Sequence, residues 1–271
     1  MQLKPVQTIA ARTGKLSVCV LASGSRGNAI HIDDGETALL IDAGLSGVEL
    51  QRRMDQKGLN PKNITAILVS HEHSDHIQGV GVLSRRFKLP VYINEGTRLA
   101  TGSSLGKLTT VKSFTCGHTF SVDSLTIHPF SISHDAEDPA GFTIGSNGCK
   151  VGIATDLGIV TGVVKTHLTA CNILIIEANH DPKMLIDGPY PWPLKQRIQG
   201  RSGHLSNADT AELLQQLLHE NLSHVILAHV SEENNTPEKA LQTVEEALNG
   251  SQVKVHVASQ ASGSCVLSAG F

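Results

Sequence analysis

The chain has 271 residues, 40% of them hydrophobic and 17% charged; this balance argues against disorder, supplies a sizeable core and suits one large α/β domain. No run approaches the roughly 20 apolar residues of a membrane span and the first 15 residues lack the apolar stretch of a signal peptide, so we expect a cytoplasmic protein. A net charge of -3 argues against coating nucleic acid by bulk positive charge, and five scattered cysteines with no Cys-x-x-Cys pair indicate buried thiols, neither a disulfide framework nor a cysteine-based zinc site.

Residues 1–15 read as an N-terminal extension to a single domain over 1–271. Aliphatic and β-branched runs then predict strands over 16–22, 38–42, 64–69, 125–132, 151–154, 173–177, 224–227 and 254–258. Helical spacing occupies 48–57, 77–87, 209–220 and 237–248. The last helix is well signalled, with Thr236 as N-cap, Pro237 at the first helical position and Gly250 beyond its end. In the third, Leu213, Leu214, Leu217 and Leu218 form a core-facing stripe, with Ser206 or Asn207 as the cap. Two sets of strands, each followed by helices, predict a four-layer αββα sandwich whose pseudo-twofold halves divide near residues 133–140.

Fourteen histidines are the compositional anomaly. In HEHSDH, residues 71–76, alternating side chains on an extended segment point to one side, so His71, His73 and Asp75 can converge, and His76 starts the following helix. Imidazoles and a carboxylate are donors suited to zinc, and also to manganese or iron. Asp42, His134, Asp156, Glu177 and His229 each lie at or just beyond the end of an apolar run, where α/β folds gather ligands on one rim. Asp42 and Glu177 are either solvated carboxylates or acids that orient ligand imidazoles from behind.

Asp42, HEHSDH, His134, Asp156 and His229 occur in the order of the metallo-β-lactamase superfamily motifs, and the chain resembles that family over roughly residues 16–267. The resemblance implies one metal on His71, His73 and His134, a second on Asp75, His76 and His229, and Asp156 bridging them. The segments 22–29, 176–181 and 203–207, the last paired with 227–235, look like the YycJ/WalJ subgroup, which implies 5'-to-3' exonucleases; ribonuclease Z and cyclic phosphodiesterases are more distant kin. Two divalent ions, Zn²⁺ first and Mn²⁺ or Fe²⁺ after it, would turn a water into the nucleophile for a phosphodiester. Asp75 would orient or deprotonate that water, and His204 would protonate the departing oxygen. The expected substrate is DNA or RNA; the alternatives are a small-molecule phosphodiesterase or thioester hydrolase, and a non-catalytic metal-binding regulatory module.

His204, in a segment resembling the GHSS motif of ribonuclease Z, is a proton donor or phosphate contact on one reading and a histidine capping a helix start on the other. His180 can reach substrate. Ser23, Ser25 and Asn28 lie in a glycine-containing turn that can offer donors to phosphate, or can simply be tight. Lys195, Arg197 and Arg201 form either a basic stripe leading a nucleic-acid backbone to the metals or an ordinary solvated face. His31, His118, His128, His167, His219, His224 and His256 have no ligand-type context and are assigned to core or surface.

Overall fold

Short apolar runs separated by turns leave the chain two sheets to build, and a computed structural model describes residues 15–270. The extension expected at 1–15 lies outside the described residues except for Lys15, which opens the first strand. The first part supplies β1 (Lys15–Ala22), β2 (Ala29–Asp33), β3 (Ala38–Ile41), α1 (Gly47–Gln56) and β4 (Ile64–Leu68). Then come α2 (Ser74–Ile77), α3 (Val80–Phe87), β5 (Pro90–Asn94), α4 (Glu95–Ala100) and β6 (Thr110–Phe114). The second sheet begins with β7 (Phe120–Val122), β8 (Leu125–Ser131), β9 (Ala140–Ser146) and β10 (Cys149–Ala154). It continues through α5 (Gly162–Leu168), β11 (Ile173–Glu177), α6 (Pro182–Asp187), α7 (Trp192–Ile198) and α8 (Asn207–Leu217). After β12 (His224–Ala228), α9 (Pro237–Ala247) and β13 (Lys254–Val257), the last strand, β14 (Leu267–Gly270), returns to the first sheet.

The strand orders are β14-β1-β2-β3-β4-β5-β6 and β13-β12-β11-β10-β9-β8-β7. Each sheet is antiparallel at one side and parallel at the other: β3 to β6 run parallel in the first, β10 to β13 in the second. The parallel strands β3 and β11 are buried at every position, which is why they read as unbroken apolar runs rather than alternating ones. The chain changes sheet between β6 and β7, earlier than the division expected at 133–140. Residues there form the loop of the β8–β9 hairpin, whose register closes at Ser131 and Ala140.

Three apolar layers hold the sandwich together. Between the sheets, Leu16, Leu39 and Ile41 meet Phe142, Ile144 and Val151. Outside the second sheet, Leu213, Leu214 and Leu217 of α8 join Ala240 and Val244 of α9, and outside the first, Leu50 and Met54 of α1 join Leu83 of α3. Each such fully buried aliphatic side chain contributes about 1.5–3 kcal/mol relative to exposure. Leu218 departs from the expected stripe: it lies past the last turn of α8 and is exposed. Ser206 caps that helix in a reciprocal box with Asp209, and Thr236 caps α9 as expected.

The helix expected over 77–87 starts earlier and is broken at Gly79, whose N–H donates to the Ala43 carbonyl at 2.7 Å. A Cβ there would stand 2.4 Å from the Leu45 carbonyl oxygen, so glycine is required for this close approach. Cys19, Cys149 and Cys171 are buried free thiols, but Cys116 is half-buried and Cys265 exposed. No helix among the described residues is long and apolar enough to cross a membrane.

Candidate metal centre

The rim expected from strand ends exists. Asp42, Asp156 and His229 follow β3, β10 and β12, and each holds a left-handed backbone, with φ of 59°, 58° and 53°. That conformation costs a residue with a Cβ about 1–2 kcal/mol and is borne best by Asp, Asn and His. Strain of this kind persists where the surroundings over-determine it. HEHSDH follows β4, and its turn is pressed against Gly44: a Cβ there would lie 1.5 Å from the Asp75 carbonyl oxygen. The same carbonyl accepts the Asn28 N–H at 2.7 Å, which fixes the turn from its other side.

His71, His73 and His134 come together as expected, with ring centroids 4.7 to 5.0 Å apart and His73 Nδ1 at 3.3 Å from His134 Nε2. Asp156 lies between the other two imidazoles. Its Oδ2 is 3.4 Å from His76 Nε2 and its Oδ1 is 3.4 Å from His229 Nε2. Asp75 stands at the edge of this arrangement, 3.6 Å from His76 Nε2, and its Oδ2 accepts the Asn28 amide at 3.1 Å.

Two buried carboxylates stand behind the rings. Asp42 accepts from Ser70 N–H at 2.8 Å and from Ser70 Oγ at 2.7 Å, and its Oδ2 lies 2.8 Å from His76 Nδ1. Ser70 Oγ is also 2.9 Å from His71 Nδ1, so one acid and one hydroxyl fix two imidazoles with their Nε2 atoms turned inward. Glu177 uses all its acceptor capacity. Its Oε2 takes the N–H groups of Leu157 and Leu205, while Oε1 lies 2.7 Å from His229 Nδ1 and 2.8 Å from His204 Nδ1. Both acids therefore orient imidazoles, and the solvated-carboxylate alternative does not hold.

The electrostatics describe a site built around positive charge. Burial opposes ionisation of Glu177, but His204 and His229 outweigh it and hold the carboxyl down to about 2. Asp156 is likewise kept well below the carboxylate range against its burial, by His229 and His76. Burial disfavours the charged form of His76, yet Asp156 and Asp42 raise it to about 9; His229, facing Asp156 and Glu177, reaches about 10. His71 and His134 are pushed down, chiefly by burial. His71 Nε2, His134 Nδ1 and Asp156 Oδ2 are buried without a hydrogen-bond partner. Such orphaned atoms are rare and costly in a folded protein, and a divalent cation satisfies them while displacing the protons from His76 and His229. The donor set, imidazole and carboxylate, is that of a divalent metal site.

Beside the rings of His204 and His229 opens a cleft of about 290 Å³. His204 sits between His134 and His229, with ring centroids 5.4 and 4.9 Å away, and is partly exposed. Ser25 and Arg197 also line the cleft. The other expected substrate contacts are placed differently. Ser23 is buried, and its Oγ accepts the His229 N–H at 2.6 Å; Asn28 turns its amide to Asp75 and His76. Both are spent on the centre itself rather than offered to phosphate. His180 is buried beside Ser206, where the two segments pair as an isolated bridge, with its Nδ1 unpartnered, and it does not line the cleft.

The three cations of the expected basic stripe are placed differently from one another. Lys195 is buried, and its Nζ donates to the carbonyls of Ile186 at 2.6 Å and Gly188 at 2.7 Å. Arg197 pairs with Asp135, its Nε 2.7 Å from Oδ2, and Arg201 is exposed but lies outside the cleft lining. Sequence reasoning missed Ser70, Asn179, Asp135 and Tyr190. Asn179 donates to the His229 carbonyl at 2.9 Å, and Asp135 and Tyr190 line the cleft. Only Ser70 carried a signal, since it directly precedes the histidine-rich run. Of the histidines set aside, His128 stacks on His167 at 4.4 Å and His224 faces His256 at 3.1 Å; none joins a potential metal group among the described residues.

A family model described as the beta-lactamase superfamily domain matches residues 37–230. The chain is 39% identical over 235 residues to an exodeoxyribonuclease YycJ of Bacillus anthracis, covering 86% of this chain and 89% of that one. It is 38% identical over 229 residues to an exodeoxyribonuclease WalJ of Streptococcus pneumoniae, with 83% and 85% covered. Among solved structures it is similar to the metallo-beta-lactamase fold protein YhfI of Bacillus subtilis, with a TM-score of 0.72 and 16% identity over 94% of this chain and 100% of that one. It also resembles the short form of human tRNase Z, with a TM-score of 0.65, 18% identity and coverage of 93% and 98%. At these identities the structural likenesses bear on the fold alone.

Proposed function

The chain belongs to the beta-lactamase superfamily, and from that premise we propose that it is a metal-dependent exonuclease acting on DNA ends, with two divalent ions per chain. The observation that carries the reading is Asp156, a buried carboxylate with one oxygen toward His76 and the other toward His229. Its Oδ2 has no hydrogen-bond partner. His71, His73 and His134 would hold one ion, and Asp75, His76 and His229 the other, with Asp156 shared; zinc suits these donors first, manganese or iron next. Bound there, the ions supply Lewis acidity toward the phosphodiester and acidify a water to make the nucleophile.

The remaining chemistry belongs to the chain. Asn28 holds the Asp75 carboxylate at the edge of the centre, where it orients the attacking water. Glu177 fixes His204 through Nδ1, which leaves Nε2 to deliver a proton to the departing oxygen. Asp42, Ser70 and Glu177 keep the ligand rings from turning, so the reacting groups meet without reorganisation. Substrate is inferred from the exodeoxyribonuclease relatives. A small-molecule phosphodiesterase is the second reading, favoured by the burial of Lys195 and the pairing of Arg197.

The test is to incubate metal-loaded protein with 5'- and 3'-labelled single- and double-stranded oligonucleotides, alongside bis(4-nitrophenyl) phosphate, a thioester and a β-lactam. Stepwise shortening of an oligonucleotide supports the exonuclease. Turnover of only the small phosphodiester installs the second reading.

A further inference from the structure

Only 3% of the residues are aromatic, and nearly all the described rings are consumed internally. Tyr92, Phe114, Phe120 and Phe142 stack on one another, Phe130 stacks on His167, and Phe87 lies under Arg86. Among the described residues, Tyr190 and Trp192 are the aromatic side chains with no ring or cation against them. Tyr190 lines the cleft beside His204, and Trp192, two residues on, is 57% exposed. Pro189 and Pro191 flank Tyr190 and restrict its backbone. The buried ammonium of Lys195 ties the segment down through the Gly188 carbonyl. An unstacked ring is thus held on a stiff support at the mouth of the centre.

The charge of the cleft narrows what can lie there. Arg197 is neutralised by Asp135, Arg26 by Glu232 at 2.5 Å, and Glu233 adds a further acid to the lining. A lining without surplus positive charge does not track a phosphate backbone, whose binding depends on unpaired cations. Leu194, Ile198 and Val230 give it an apolar wall. Its volume of about 290 Å³ is at the lower end of small-ligand sites, enough for one nucleoside rather than a duplex.

We propose that this cleft is a nucleoside subsite, in which the unpaired base on the leaving-oxygen side of the scissile phosphate stacks on Tyr190 while the phosphate remains at the metal centre. The subsite rests on the nuclease reading and deepens it: the substrate is an end whose terminal base is free of a partner. Stacking on an aromatic ring is tolerant of base identity, since every base offers a π-face. The subsite therefore accepts any base and does not select sequence.

The test compares wild type, Tyr190→Ala and Tyr190→Phe, all metal-loaded, on a single-stranded oligonucleotide and on the same strand with an abasic terminal residue. Tyr190→Ala should raise KM for the intact strand about 5- to 150-fold, the range that one base–aromatic stack supports, and Tyr190→Phe should restore it. On the abasic strand wild type and Tyr190→Ala should coincide, because there is no base to lose. Binding of a phosphorothioate strand, read by fluorescence anisotropy, should show the same order without turnover. An equal loss on intact and abasic strands, or none on either, overturns the subsite. The abasic ratio within each variant cancels any general damage to folding. Should wild type cleave bis(4-nitrophenyl) phosphate but no oligonucleotide, the nuclease reading falls and the subsite with it; cleavage of oligonucleotides that ignores Tyr190 sinks the subsite alone.

Discussion

Lys195 offers the sharpest check on how the structure redistributes charge, because the same residue is a phosphate contact on one view and an internal tie on the other. The residue is 7% exposed, and its ammonium donates at 2.6 and 2.7 Å to the carbonyls of Ile186 and Gly188. Hydrogen bonds from a charged donor contribute roughly 1.5–3 kcal/mol each, and the hydration lost on burying the ammonium offsets part of that. Replacing Lys195 by Met keeps most of the stem's volume and removes both bonds, so the expected loss is about 2–4 kcal/mol. For a chain of this size that lowers the melting temperature by roughly 4–8 °C. Calorimetry or denaturant titration reads the stability, and oligonucleotide affinity over a salt series reads the other role. A lysine on a phosphate would flatten the log–log salt slope by about 0.7 on single strands, whereas Lys195→Met should leave the slope unchanged. A flattened slope with an unaltered melting temperature would exclude the internal tie and return Lys195 to the substrate path.

Three further outcomes follow from the centre. Elemental analysis of wild type should find close to two divalent ions per chain, and Asp156→Ala should bring both down together, since its two oxygens face different imidazoles; loss of one ion alone removes the shared role. His204→Ala should keep the metal content and lose roughly 10²-fold or more in turnover, the scale of a positioned acid, and an unchanged rate reduces His204 to a structural residue. The third concerns pH. In chelator-treated protein His76 and His229 titrate near 9 and 10, above the ordinary 6.5, so their protonated forms stabilise the fold fully below pH 6.5 and that contribution fades as pH rises through 9 to 10. Denaturant midpoints should therefore fall from pH 7 to 10 without metal, while metal affinity rises over the same window as the competing protons leave; a flat metal-free profile contradicts the charge arrangement around Asp156.

Much of the centre was legible because its parts sit where a strand pattern stops. Asp42, Glu177 and His229 each terminate an apolar run, and a polar group there has no reason to exist for the core. In HEHSDH the alternation expected of an extended segment holds for His71 and His73 alone, because α2 begins at Ser74 and it is the helix that carries Asp75 and His76. The sandwich followed from the runs themselves, although β2, β5, β6, β7, β9 and β14 are too short or too mixed for periodicity to isolate. The placements that residue type did not foretell share a cause. Lys195, Arg197 and His180 were read by residue type, and residue type says nothing about a carbonyl or a carboxylate brought near by a distant segment. Gly188, Asp135 and Ser206 decide those three fates, and each does so through the tertiary fold. Tyr190 was invisible for a similar reason: an aromatic between two prolines reads as a turn until the cleft beside it exists.

The centre draws its donors from both sheets, with His71, His73 and His76 following β4 of one and His134, Asp156 and His229 following β8, β10 and β12 of the other. Any ion seated among them is a rivet through the sandwich, and its removal loosens the seam between the layers rather than a single loop. Resistance to proteases then becomes a reporter of metal supply, since ligation adds stability in proportion to the logarithm of free metal over its dissociation constant. A cell short of the ion would hold less of the protein, not merely a less active form of it.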